Sequence, residues 1–218
     1  DAQVGDDFHI NPEEIESKYF GVLTKMFNVA RFASQFDVPD DLDTPPVGLS
    51  SEDQWILSEF DAMMARVEDA WSRIDIYTAA QSLKGFGTGV FPSHWLEMSK
   101  SRLYDGDKSA AWTLHRVVRD LLSAFSPICP FFSHYLSTTL YDSSAVDVRS
   151  FPRPSAIVDA EGAEALRALT PIISEFNSMV WKLKKDSGLS LKSPISGIVV
   201  PNELSALQDS LVRMHSIE

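Results

Sequence analysis

A chain of 218 residues can bury a sizeable core and suits one large domain, or one domain with a small appendage. Its 44% hydrophobic and 23% charged residues are those of a globular protein, and no apolar run reaches the roughly 20 residues of a membrane span. The single cysteine, Cys129, excludes an internal disulfide and a cysteine-based zinc site and fits a reducing cytoplasm, while a net charge of −12 argues against nucleic-acid binding unless a basic patch is gathered locally.

Asp1 to Ile10 has neither a basic stretch nor an apolar one, so no signal peptide is expected. The missing initiator methionine points to a fragment or a processed chain. Asn11-Pro12-Glu13-Glu14 reads as a helix start, with Asn11 as cap and two glutamates at the positive end of the dipole. Ile15, Tyr19, Val22, Met26, Val29, Ala33 and Phe36 then recur at steps of three and four, giving one apolar face. Asp37 to Ser50 is rich in proline and reads as a loop.

Ser51-Glu52-Asp53-Gln54 reads as a capping box, followed by the stripe Ile56, Phe60, Met63, Val67 and Ala70. Asp75 caps a third helix toward Tyr104, which Pro92, among Gly85, Gly87 and Gly89, should kink or break. Asp105-Gly106-Asp107 is a turn, and a fourth helix runs from about Lys108 through Phe125. Pro127 and Pro130 interrupt it before a short helix over Phe131 to Tyr141. Val146-Asp147-Val148, Pro152 and Pro154 read as an extended strap. Glu161 to Ser187 is helical and stopped by Gly188. The β-branched run Ile195 to Val200 predicts a strand, and Glu203 onward is helical again. The expected fold is mainly α: an antiparallel helical bundle over residues 1–155, then a small mixed α/β appendage, helix–strand–helix, over 156–218.

No catalytic constellation stands out. Gly85-Phe86-Gly87-Thr88-Gly89 matches no phosphate-binding pattern and reads instead as a helix in which glycines allow close packing. His9, His94, His115, His134 and His215 show no metal-ligand spacing. Trp71, Trp95, Trp112 and Trp181 lie in helical stripes and are most simply core. Trp55 carries two readings. It is either core, as tryptophan usually is, or a first-turn aromatic exposed enough to stack on a base. Lys182, Lys184, Lys185 and Lys192 form the densest basic cluster, either a solvated helix end or a set of phosphate contacts.

Several blocks taken in order resemble one family. Phe27-Asn28-Val29-Ala30-Arg31-Phe32 is similar to the N-A-x-R-F block of valyl-tRNA synthetases. Asp53-Gln54-Trp55-Ile56-Leu57-Ser58 resembles the D-R-W-I-L-S block shared with the isoleucine enzymes. Trp95-Leu96-Glu97 with Lys100, Arg102, Leu103 and Tyr104 resembles Y-L-E-x-x-K-x-R-L-Y. Leu121 to Phe132, with Ser126-Pro127-Ile128-Cys129-Pro130-Phe131, resembles L-x-P-x-x-P-F, and Val148 to Pro152 resembles V-x-x-x-x-W-P with Phe151 replacing the tryptophan. Gly188-Leu189-Ser190-Leu191 with Pro194 and Ile195 resembles the G-L-S-L-x-x-P-I segment of archaeal-type valine enzymes. Gly85 to Pro92 departs from the family pattern F-x-x-x-F-C-D-x-Y. Met98-Ser99-Lys100-Ser101 imitates the K-M-S-K-S loop that contacts ATP, but Glu97 stands where its first lysine belongs, in a helical setting.

The resemblance implies the C-terminal anticodon-binding region of a class I aminoacyl-tRNA synthetase, with a catalytic part, and its ATP and magnesium, upstream of Asp1. It implies a non-catalytic, cytoplasmic, monomeric segment whose partner is tRNA, tRNA-Val in the valine reading, with no membrane role. Asn28, Arg31, Gln54 and Trp55 at one pole of the bundle are the implied tRNA contacts, and Lys184, Lys185 and Lys192 are expected on the RNA backbone. The same region of an isoleucyl enzyme and a helical protein-interaction domain without RNA are the alternatives.

Overall fold

The computed structural model describes residues 12–14, 16, 20–141 and 150–218. The Asn11 cap, Ile15, Tyr19 and the 146–148 strap fall outside the described residues. After a helical turn, α1 (Pro12–Glu14), the order is α2 (Phe20–Ala33), α3 (Ser51–Ser72), α4 (Ile76–Gly85), a π-helical segment (Phe86–Trp95), α5 (Leu96–Tyr104), α6 (Lys108–Phe125) and α7 (Pro130–Tyr141). Then come α8 (Ala160–Arg167), α9 (Leu169–Asp186), a 3-10 helix (Asn202–Leu207) and α10 (Gln208–His215). The fold is mainly helical, as the periodicity predicts.

The helix starts are chemically marked, with one shift of register. Ser50, not Ser51, caps α3: its hydroxyl accepts from the Asp53 N–H at 3.3 Å. Asp75 and Asp107 cap α4 and α6 through the Thr78, Ser109 and Ala110 amides. α3 is the central element, with Trp55, Ile56, Leu57, Phe60, Met63 and Val67 all buried, and it packs on α4, α6 and α8.

Pro92 does not break the third helix. The ladder widens to the i→i+5 pattern over Phe86–Trp95 and then returns to α, the Leu96 N–H donating to the Phe91 carbonyl. The reason is aromatic packing. Five residues along an α-helix turn a side chain about 140° away from the starting face. The wider winding instead brings Phe86, Phe91 and Trp95 into a nearly parallel stack, at 5.8 and 5.2 Å between ring centres, with Phe60 of α3 5.4 Å from Phe86. Gly87 permits the close approach to α6, since a Cβ there would sit 3.1 Å from Leu121 Cδ2.

The appendage differs from expectation. Glu161–Ser187 is two helices, divided at Ala168. Among the described residues there is no strand, so the mixed α/β appendage is corrected to a helical one. Ile195–Val200 makes a single parallel bridge, Ile195 to Ile217, and Gly197 at φ 78° turns the chain away. A β-branched run needs a partner strand, and residues 216–218 offer only this one pairing. Ile173, Phe176, Val180, Leu204, Leu207 and Leu211 join the same apolar core as α3 and α6. No described helix is long and apolar enough to cross a membrane.

Candidate nucleic-acid interface

On α2, Lys25, Asn28 and Phe32 follow one another at steps of three and four, so they share one flank of the helix. That flank faces Thr88, Pro92 and Ser93 of the π segment and Glu97 and Lys100 of α5 across a groove of about 760 Å3. Trp181 of α9, Leu191 and Lys192 of the 188–194 segment and Met214 of α10 close its far side. A second depression of about 530 Å3 shares Phe32, Glu97, Lys100, Lys192 and Met214 with the first and continues past Tyr104 and Arg213. Lys25, Lys100, Lys192 and Arg213 thus face a trough in which Glu97 is the carboxylate, a local reversal of sign in a chain of net charge −12.

Lys100 is paired with a carboxylate, while Lys25, Lys192 and Arg213 have no acidic partner among the residues lining the trough. Lys100 Nζ lies 2.6 Å from Glu97 Oε1 and 6.0 Å from the centre of the Phe32 ring. Lys25 Nζ reaches the Thr88 carbonyl at 3.5 Å. Lys192 and Arg213 are exposed. Phe32, Phe36 and Tyr104 pack edge-on or tilted at 5.1 to 6.2 Å, leaving Tyr104 64% exposed at the end of the trough. Positive side chains interleaved with aromatic faces suit a single-stranded polyanion whose bases can stack.

Beneath Trp181 runs a buried polar chain. Asn177 Nδ2 donates to His94 Nδ1 at 2.9 Å, and His215 Nε2 donates to Asn177 Oδ1 at 2.7 Å. Trp181 stacks on His94, 6.0 Å between centres and 12° from parallel. Burial, with the Lys184 ammonium adding to it, pushes His215 down to about 4, and burial lowers His94 as well. A histidine kept neutral in this way stabilises the fold fully above its unfolded pKa of about 6.5, and that stability is lost as pH falls toward the folded value. Urea melts should therefore show about 3 kcal/mol lost from His215 between pH 6.5 and the acid side of 4. His215→Gln should flatten that slope. An equally steep slope in the variant would assign the acid loss to other groups.

The groove gathers only part of the expected set. Asn28 and Lys192 line it. Arg31 is exposed in the last turn of α2 and Lys185 is exposed near the end of α9, both outside the lining residues. Gln54 is half-buried, its amide donating to the Leu49 carbonyl at 2.9 Å. Trp55 is 0% exposed and its indole N–H donates to Thr170 Oγ1 at 2.8 Å, so the stacking reading is corrected: the α8–α9 corner covers the start of α3. Lys184 is also 0% exposed, and the phosphate-contact reading is corrected for it too, since its ammonium is spent on backbone carbonyls. The reading from sequence missed Lys25, Lys100, Arg213, Phe32 and Tyr104 as a set. The step-of-three-and-four flank Lys25–Asn28–Phe32 was the available signal. Met98 and Ser99 are buried inside α5, so the resemblance to an ATP loop does not fit nucleotide binding. Among the described residues no His, Cys, Asp and Glu group could hold a metal ion.

The anticodon-binding domain of tRNA ligases matches residues 53–199, and the chain belongs to that family. Within it the chain is similar to archaeal valine–tRNA ligases. It is 29% identical to that of Saccharolobus solfataricus over 197 residues, 90% of this chain and 23% of the relative. With the Aeropyrum pernix enzyme the figures are 28% over 224 residues, 98% of this chain and 26% of the relative. With the Pyrobaculum aerophilum enzyme they are 30% over 227 residues, 99% and 27%. The chain therefore spans about a quarter of the length of the curated relatives it matches.

Proposed function

We propose that this chain recognises the anticodon stem and loop of a tRNA, tRNA-Val, as the anticodon-binding part of a valine–tRNA ligase. The observation that carries the reading is the sign-reversed, aromatic-edged groove on a fold of the anticodon-binding family. Loop bases are single-stranded, can splay out, and can stack on Tyr104 or Trp181, while Lys25, Lys192 and Arg213 position the backbone. In this reading ATP, magnesium and the aminoacylation itself belong to other parts of the enzyme. The binding energy of the groove serves specificity and orientation, in the cytoplasm where tRNA is charged.

Fluorescence titration of a labelled anticodon stem-loop against the purified chain tests the proposal. A stem-loop of the valine tRNA should bind, and a fully paired duplex of the same stem should bind more weakly. Replacing Lys25 and Lys192 by alanine should reduce the slope of log affinity against log salt by roughly 0.7 for each phosphate left without its lysine. Tyr104→Ala should weaken binding by about 1–3 kcal/mol if a base stacks there. Equal affinity for duplex and stem-loop, or a salt slope indifferent to both lysines, would overturn the assignment of this groove.

A further inference from the structure

The 188–194 segment forms a wall of the groove but has little apolar anchoring of its own. Leu189, Leu191 and Lys192 are all exposed. Gly188 ends α9 with φ 67°, its N–H donating to the Lys185 carbonyl, and the Leu189 N–H donates to the Lys184 carbonyl. From there to the Ile195–Ile217 bridge the segment closes a turn of its own, the Ser193 N–H donating to the Ser190 carbonyl, and one buried side chain ties it to the rest of the fold. Lys184 Nζ donates to the carbonyls of Leu191 at 2.8 Å, Ser193 at 2.7 Å and His215 at 2.6 Å.

An ammonium has three donors and no acceptor, so these three carbonyls use it completely. The negative end of α9 adds to the carbonyl field around the cation, since Lys184 lies in the last turn. Such a group is unsuited to a ligand and well suited to tying chain together. It joins the segment carrying Lys192 to the end of α10, at His215, directly after Arg213 and Met214, which line the groove beside it.

We propose that Lys184 is a positioning residue for the groove: it gathers the 188–194 segment and the end of α10 and thereby fixes Lys192 where the backbone of a bound RNA runs. The RNA half of this statement rests on the anticodon reading above, while the holding of the segment does not.

Lys184→Met keeps the buried stem and removes the three donors. Hydrogen exchange over residues 188–194 should then quicken about tenfold more than in α3 and α6. Stem-loop affinity should fall roughly fivefold, as for Lys192→Ala, which removes one exposed charge from the RNA backbone. The double variant should bind no worse than Lys184→Met alone, because a lysine that is no longer positioned has nothing left to lose. Additive losses, or unchanged exchange in 188–194, would overturn the proposal. If Lys184→Met does not fold, Gly188→Ala strains the same segment through its positive φ, with open space around the added Cβ. It should show the same non-additivity with Lys192→Ala, and additivity there overturns the proposal equally. If the unaltered chain fails to bind the stem-loop, the anticodon reading falls, and exchange alone decides whether Lys184 holds the segment.

Discussion

Replacing Arg102 by methionine is expected to cost about 3–5 kcal/mol of folding stability and roughly 10 °C of melting temperature. Arg102, near the end of α5, reaches the starts of two other helices. Its Nη2 lies 2.7 Å from Asp53 Oδ2, its Nη1 3.0 Å from Glu52 Oε1, and its Nε 2.8 Å from Asp107 Oδ2. It also donates to Ser50 Oγ and Ser109 Oγ at 2.7 and 2.8 Å, one of them the cap of α3. Asp53 has no solvent to fall back on, and its Oδ1 already accepts from the Trp95 indole. Burial raises Asp107, but the bonds from Arg102, Ser109 and the Ala110 amide outweigh it and hold that carboxyl at about 2. The methionine variant strands Glu52 and Asp53 as buried carboxylates without their cation, the situation in which losing one partner of a buried pair costs most. Denaturant unfolding of the two proteins measures the difference. A change under about 1 kcal/mol would mean that water enters and solvates the carboxylates, and that the cluster acts as a surface network.

Trp55→Ala is expected to be equally damaging, at about 3–5 kcal/mol, the usual range for emptying a core aromatic site. The side chain is fully buried, and its N–H is the first link of a chain in which the Thr170 hydroxyl donates onward to Glu59 Oε1. Trp55→Phe should cost nearer 1 kcal/mol, since it keeps most of the volume and loses the indole N–H. Neither variant should alter stem-loop affinity at temperatures where it is folded. Weakened RNA binding by a folded Trp55→Phe protein would restore the stacking role that the burial rules out.

The contrast between these residues shows what the sequence could and could not disclose. Helices with long steps of three and four, such as α3 and α6, were legible because burial on one face is a local, periodic demand. The role of Trp55 was not, because a first-turn residue after a loop reads as exposed until a corner 115 residues further on is folded over it. Lys184 was hidden for the same reason, its neighbours Lys182 and Lys185 being exposed as a lysine-rich helix end suggests. The π segment reads as a weak or broken helix from its glycines and Pro92. The spacing Phe86–Phe91–Trp95 holds the opposing message, but it is meaningful only once Phe60 is opposite. Of the candidate interface, Asn28 was legible through a family block and Lys192 through the lysine cluster, whereas the trough itself arises from elements that meet only in the fold.

The reversal of sign at the groove also bears on how quickly and in what pose an anionic partner arrives. At physiological salt a charge is felt over about 8 Å, so each face of the protein presents its own field. A strand approaching the Asp37–Asp41 side meets Asp37, Asp40 and Asp41 against the single cation Lys108 around one depression and is disfavoured there. An encounter at the Lys25–Lys192 side is drawn in. The acidic remainder thus lowers adventitious sticking to other polyanions and filters collisions by orientation, a kinetic selectivity obtained without touching the partner.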